Sequence, residues 1–470
     1  MAITRHLLPW LGAVSLLAAC APLGPDYQRP SFLPAGGASA EQVALVRYKE
    51  AAALLQPVTT AVPARAWWQE FADPTLEAMM GELIANNPTL AQAAARERQA
   101  QATLVQARSA RVPTLGGNLA VTRSSQPGVG GRTNVTGTSL GLAASWEVDL
   151  WGRVRRTIEA GEASATASKA DLDAATLSMR AQLVTAYGNL RALDAQAALL
   201  DEVVVAYERT LSLTRNRYEA GVAARADVAQ AELQWLNAKA QRIDGDSQRA
   251  ALEHAIAVLL GRPPSAFSLP RVGQFTLAVP PVAASLPSEL LRRRPDIVAA
   301  ERRVAAANAQ IGIAVAAWYP TLSLSGSFGE RGTTLADLAA LPNRIWSLGP
   351  ALALSLFDGG ARDGARAQAM AAYDQTAAAY RQTVLSALAD VEDNLAARRV
   401  LAQEMEVQRE AVRAAQQALT IALNQYKAGT VSYLNVVTAQ TAEYTARRSE
   451  IALRAQFFAT TVSLLRALGG

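Results

Sequence analysis

Few side chains in this 470-residue sequence could do covalent or acid–base chemistry, and their spacing excludes most of it. Of the two histidines, His6 lies in the apolar leader and His254 stands alone. Neither a multi-histidine metal site nor a Ser–His pair can therefore be assembled. No GxxxxGK loop is present to cradle a phosphate. The six methionines are scattered and give no soft-metal ladder. Glu147 and Asp149 are paired carboxylates on one side of a strand-like stretch, and a water-facing polar surface explains them better than catalysis. We expect no enzymatic activity, no cofactor and no metal.

The one residue whose setting implies covalent modification is Cys20, the only cysteine, so a disulfide within the chain is impossible. Met1 to Ala19 carries Arg5, an apolar run from Leu7 to Ala18, and small residues before the cysteine. That is a secretory signal, too short to span a membrane as a helix. Leu17-Ala-Ala-Cys20 resembles the bacterial lipobox, whose cysteine is diacylated and becomes the first mature residue. The alternative is a conventional signal peptide with an incidental cysteine. Two or more acyl chains make a stable anchor. Ala21 stands where an aspartate would resemble the inner-membrane retention signal, which points to the outer membrane.

These residues are set by a chain organised around one long helix, residues 153–218, unbroken by proline and closed by Tyr218-Glu-Ala-Gly221. Its length is roughly 100 Å at about 1.5 Å per residue. Leu183, Leu190, Ala197, Val204, Leu211 and Tyr218 recur every seven residues, with Ala186, Leu193, Leu200 and Tyr207 between them. This is a coiled-coil seam. The helix has a twin at 361–427, with a poorer seam (Val391, Met405, Val412, Leu419) interrupted by Arg398. The turn at Tyr218 and Gly221 recurs at Tyr426 and Gly429, an offset of about 208 residues.

The sequence thus reads as mainly α with a small β part, built from a duplicated helix–strand–strand–long helix–helix repeat. A tether (20–74) precedes the first repeat, 75–261, with strands at about 113–123 and 138–150 and a return helix at 225–261. A linker (262–290) leads to the second, 291–470, with strands at about 320–329 and 346–357 and a return helix at 432–468. Gly221 and Gly429 would end the long helices through a conformation only glycine adopts cheaply. The formal charge of +5 is spread along both repeats, and no basic stripe interleaved with aromatics suggests nucleic-acid binding.

Each strand alternates apolar with small or polar residues over about 10 positions, the pattern of an outer-membrane barrel with lipid outside and water inside. Ser124–Gly137 and Glu330–Ile345 read as extracellular loops. Four strands cannot close a barrel, since known barrels start at about eight and open edges are not tolerated in lipid. Several chains must pool their strands, and the pattern does not give their number.

Trp67-Trp68, Asp73-Pro74, Asn87-Pro-Thr-Leu90, Ser145-Trp-Glu-Val-Asp-Leu-Trp-Gly-Arg153, Leu286-Pro-Ser-Glu-Leu-Leu-Arg-Arg-Arg-Pro-Asp-Ile297, Tyr319-Pro-Thr-Leu322 and Phe357-Asp-Gly-Gly360 together resemble the TolC-like outer-membrane factor family, in its OprM/NodT lipoprotein branch. The resemblance implies a homotrimer whose pooled strands form one 12-stranded barrel, about four per chain. A periplasmic α-helical coiled-coil barrel of near-sixfold wall would continue it, with residues 262–290 in an equatorial belt. It implies the exit duct of a tripartite efflux system, fed by a periplasmic adaptor protein and a proton-driven inner-membrane pump of the RND type. Drugs, dyes or other small amphiphiles would be the cargo. Alternatives are a duct for protein secretion or heavy-metal efflux, or a lipid-anchored coiled-coil protein without a pore.

The resemblance also places a gate at the periplasmic helix tips. Tyr218, Gly221 and Gly429 belong to the tip turns, where the adaptor would make contact. Asp227 and Tyr426 match positions that link neighbouring hairpins in the closed state. Asn435 is neutral where family members commonly carry an acid, Thr438 is neutral where some carry a second, and Val431 stands where some relatives have a linking arginine. The expectation is a weaker lock, made by hydrogen bonds from Asp227 with Arg225 and by packing of Tyr426.

Overall fold

The computed structural model describes residues 22–30, 49, 66–128, 131–275, 277–280, 293–336 and 341–470. The stretch read as a signal peptide, Cys20, most of the expected tether, and residues 276 and 281–290 of the expected linker lie outside the described residues. In chain order the elements are α1 (Pro74–Asn86), α2 (Pro88–Ser109), β1 (Thr114–Gly128), β2 (Gly131–Val148), α3 (Arg153–Glu219) and α4 (Arg225–Leu259). The second half supplies α5 (Pro295–Ala316), β3 (Thr321–Gly332), β4 (Arg344–Ala353), α6 (Ala361–Lys427) and α7 (Tyr433–Ala467). The long helices α3 and α6 have 67 residues each, and the return helices α4 and α7 have 35 each. The duplication therefore holds to the residue in both hairpins. No helix among the described residues is long and apolar enough to cross a membrane.

The chain divides into two compact units. One comprises Met1–Phe32, Ala95–Ala170 and Ala299–Gln382 and contains the sheet. Its four strands lie in the order β1-β2-β3-β4, every neighbour antiparallel. The register stacks Leu119 on Leu140, Leu142 on Phe328, Phe328 on Trp346, and Leu322 on Leu352. Because strand side chains alternate in direction, these residues share one face. That face is open: Leu115, Leu119, Phe328, Trp346, Leu348 and Leu352 are all exposed. The other face carries Ser145, Ser323, Ser325, Ser327 and Ser347, with the Ser327 and Ser347 hydroxyls 2.8 Å apart.

The strands differ from their expected bounds. Pairing of β1 with β2 continues through Ser124↔Val135 to Gly128↔Gly131, so most of the stretch read as a loop is strand. Backbone hydrogen bonds close a hairpin whatever the polarity of its side chains, and this polar extension shows no apolar alternation to find. β4 spans Arg344–Ala353, which leaves Leu354 and Leu356 beyond it. Asp149 is not a strand carboxylate. It follows the end of β2 and accepts hydrogen bonds from the Val154 and Arg155 amides, capping α3, while Glu147 pairs with Arg153. Asp358 does the same for α6 through the Gly360 and Arg362 amides.

The N-terminal segment 22–30 is fastened to this unit. The buried guanidinium of Arg156 donates to the Leu23 and Gly24 carbonyls and to Asp26, and Asn308 donates to the Pro25 carbonyl. Further along, Tyr27 donates to Glu301 and Arg29 donates to the Tyr380 hydroxyl.

The other unit comprises Leu33–Ala94, Asp171–Val298 and Thr383–Gly470. Asp73 caps α1 through the Thr75 and Leu76 amides, with Pro74 at the first helical position. Pro88 ends that helix, so the single helix expected here is two. Leu76, Met79, Met80 and Leu83 recur at helical spacing and bury against Trp67, Phe71, Tyr187 and Phe458. The Trp67-Trp68 pair is packing. Asp194 lies fully buried on α3, accepting from Arg191 at 3.0 Å, Arg249 at 2.6 Å and the Val272 amide at 3.2 Å. The same arginines donate to the Pro270 and Leu269 carbonyls, which holds the linker segment against α3 and α4.

Candidate functional site

The site to which the sequence points lies where the two helical hairpins turn, and both turns are built alike. At the first, the Gly221 amide donates to the Tyr218 carbonyl and the Val222 amide to the Arg217 carbonyl, each at 2.9 Å. At the second, Gly429 and Thr430 repeat these bonds onto Tyr426 and Gln425 at 3.0 Å. Such a closure needs the left-handed conformation, and Gly221 and Gly429 have φ of +74° and +77°.

The two tips differ in their surroundings. Tyr426 is buried, its ring 5.5 Å from that of Tyr433 on α7 and 4.9 Å beneath the guanidinium of Arg217 on α3. Arg217 also donates to the Lys427 carbonyl at 3.1 Å, capping the end of α6 where the helix dipole is negative. Its Nε is buried with no hydrogen-bond acceptor among the described residues, so the ring face is what stabilises that edge of the cation. The Tyr426 hydroxyl lies 3.5 Å from that of Thr214, at the limit of a hydrogen bond. Leu211, Ala231, Val436 and Val437 complete the cluster, with Val431 packed at its margin. Burial pushes the Tyr433 phenol well above its ordinary range, and the neighbouring Tyr426, Tyr207 and Asp227 add to this.

The remaining sequence-derived positions stand apart. Asp227 is half-buried in the first turn of α4, where its charge suits the helix dipole, and makes no hydrogen bond or ion pair through its side chain among the described residues. Arg225 and Asn435 are exposed, and the exposed Thr438 returns its hydroxyl to the Leu434 carbonyl. Sequence reading missed Arg217 and Thr214, which lie far from Tyr426 in sequence. The available signal was the repeat itself, since Arg217 immediately precedes the tyrosine that is the twin of Tyr426.

A few turns along, α3, α6 and α7 enclose a groove of about 620 Å³, lined among others by Tyr207, Thr210, Leu423, Gln440 and Glu443. Gln440 donates to Thr210 at 3.1 Å, and burial raises the Tyr207 phenol to about 12. Nothing in this arrangement pairs a nucleophile with a base. It offers packing and charge.

Residues 79–262 and 286–470 match the outer membrane efflux protein family, one match for each repeat. The chain belongs to that family. It is 32% identical to the outer membrane protein OprJ of Pseudomonas aeruginosa over 460 residues, covering 97% of this chain and 93% of that one. It is 30% identical to the pyoverdine export outer membrane protein OpmQ of the same organism, covering 97% and 96%. Among solved structures it resembles the outer-membrane channel OprN with a TM-score of 0.85 and 29% identity, covering 96% of this chain and 99% of that one. Members of the family are outer-membrane channels of efflux pumps, and this chain is such a channel rather than an enzyme.

Proposed function

We propose that three copies of this chain form one passive export duct. Their strands close a 12-stranded barrel, about four per chain, and their long helices continue it into the periplasm. The observation that carries this reading is the sheet: one face is apolar and open, and neither outer edge, on β1 or on β4, has a strand partner among the described residues. An apolar sheet face suits lipid, and unpaired edges in lipid demand a neighbouring strand. Only further copies of the same sheet satisfy both.

The duct is held by lipid on Cys20 and receives cargo from an inner-membrane pump of the RND type through a periplasmic adaptor. Small amphiphiles such as drugs are the cargo class, and the likeness to a pyoverdine exporter extends it to polar siderophores. The hairpin ends form its gate, with Tyr426 and Arg217 holding the closed state and Asp227, Arg225, Val431, Asn435 and Thr438 around it. Gly221 and Gly429 shape the tips, where Tyr218 and the adaptor meet. The test is planar-bilayer recording of the purified full-length protein. Stepwise, water-filled conductance is expected, and an electrically silent trimer would overturn the duct.

A further inference from the structure

The open apolar face of the sheet ends in a polar rim. The last exposed apolar residues on that face are Val121 on β1, Leu140 on β2, Phe328 on β3 and Trp346 on β4. Two residues further from the helices, strand alternation sets Arg123, Thr138, Glu330 and Arg344 on the same face.

The register shows that this rim is level in a tilted sheet. One row of paired residues joins Leu119, Leu140, Glu330 and Arg344, so Arg123 lies four residues beyond the row on which Arg344 sits. Four residues are about 13 Å along a strand, and three strand spacings are about 14 Å across the sheet. The rim is therefore inclined to the rows by roughly 40°, the tilt at which strands of outer-membrane barrels cross the bilayer. Phe328 and Trp346, just inside it, stand where such barrels carry interfacial aromatics. The helices join the sheet at its opposite end, before Thr114 and after Val148, which sets the rim at the outer leaflet.

Arg123 is exposed, and its side chain makes no hydrogen bond or ion pair among the described residues. Arg344 reaches Glu330 only at 3.4 Å and keeps its side chain 52% exposed. In a closed barrel β4 of one copy lies beside β1 of the next. A level rim then brings Arg344 next to Arg123 of a second copy, on adjacent strands about 5–7 Å apart. Like charges so placed repel, and Glu330 balances at most one of them. An anion with several oxygens satisfies both guanidinium forks at once.

We propose that each junction between copies binds the phosphate of an outer-leaflet lipid between Arg344 and Arg123, with the acyl chains lying on the apolar face beside it. This inference rests on the trimeric barrel of the reading above.

Native mass spectrometry of the full-length protein in mild detergent, titrated with diphosphoryl lipid A, tests the site. One retained lipid per junction is expected. Arg123→Gln and Arg344→Gln are each expected to weaken retention roughly tenfold, the scale of one charge-assisted hydrogen bond. Arg331→Gln, at nearly the same height on the opposite face, is expected to bind like the parent. Lipid A stripped of its phosphates should bind the parent no better than it binds the double glutamine variant. Should that variant fail to assemble, Arg123→Lys with Arg344→Lys reads the same site by a several-fold loss, because lysine keeps the charge without the fork. Equal retention by parent and double variant, or an equal loss in Arg331→Gln, would overturn the site. Displacement of the lipid by equimolar inorganic phosphate would overturn its lipid identity. Those failures leave the trimer standing, whereas a protein that runs as a monomer removes the trimeric reading itself, and the junction with it.

Discussion

Replacing Tyr426 separates the contributions that hold the hairpin ends together. Its hydroxyl sits at the outer limit of bonding distance from Thr214, so little depends on the oxygen. Its ring, by contrast, is covered by Arg217 and faces Tyr433. A partly desolvated cation–π contact is worth about 1–2 kcal/mol and an aromatic pair about 0.5–1.5 kcal/mol beyond area burial. Tyr426→Phe keeps both and is expected to conduct like the parent. Tyr426→Leu keeps apolar volume and loses both, roughly 2 kcal/mol, which would shift the closed-to-open ratio about thirtyfold. Single-channel open probability in planar bilayers reads this directly, and susceptibility to a large antibiotic in a deletion strain carrying each variant reads it in cells. If the leucine variant stays as closed as the parent, the ring is not the lock. If phenylalanine leaks as much as leucine, the hydroxyl is, and the reasoning from distance fails.

Three further outcomes follow from the packing and the N-terminal motif. Asp194→Asn leaves buried Arg191 without its counter-charge and Arg249 with Glu253 alone, and should cost about 3 kcal/mol, seen as a lower midpoint of thermal unfolding and faster proteolysis near Pro270; an unchanged midpoint would show that the cluster does not hold the linker segment. Gly188→Ala would drive a methyl into the ring of buried Phe458, expected to destabilise by about 1–3 kcal/mol, and a neutral result would contradict that close approach. Cys20→Ser should abolish incorporation of labelled palmitate, and persistent labelling would remove the anchor.

Acidification offers a smaller effect of fixed sign. Hydrogen bonds from Arg242 and Arg271 hold the Asp246 carboxyl below its ordinary range. Its contribution is therefore complete above an unfolded pKa of about 4 and is lost as pH falls through the lower folded value. The side chain is 49% exposed, so the contribution stays below about 1 kcal/mol. Asp246→Asn should leave stability at neutral pH only slightly lower and flatten the acid limb of a denaturation profile.

What the sequence made legible was what is local and periodic. The 67-residue helices appear because nothing breaks them, the tip glycines because a helix end needs φ above zero, and the strands because their faces alternate. Pairings between distant residues were not legible. Arg217 finds Tyr426 across the repeat, and Asp194 draws together arginines from two helices, one of them 55 residues away. Asp194 did leave a trace, since a carboxylate one residue beside the Leu190–Leu193–Ala197 seam marks a polar group on a buried stripe. The polar half of the first hairpin left none, because backbone pairing alone sustains it.

The most direct measurement is the mass of the full-length protein extracted into mild detergent, by native mass spectrometry or light scattering. Three chains per particle, resistant to dilution, is the expected result. A stable, detergent-soluble monomer would contradict the account, because a four-stranded sheet with two open edges could not then be the wall of a pore.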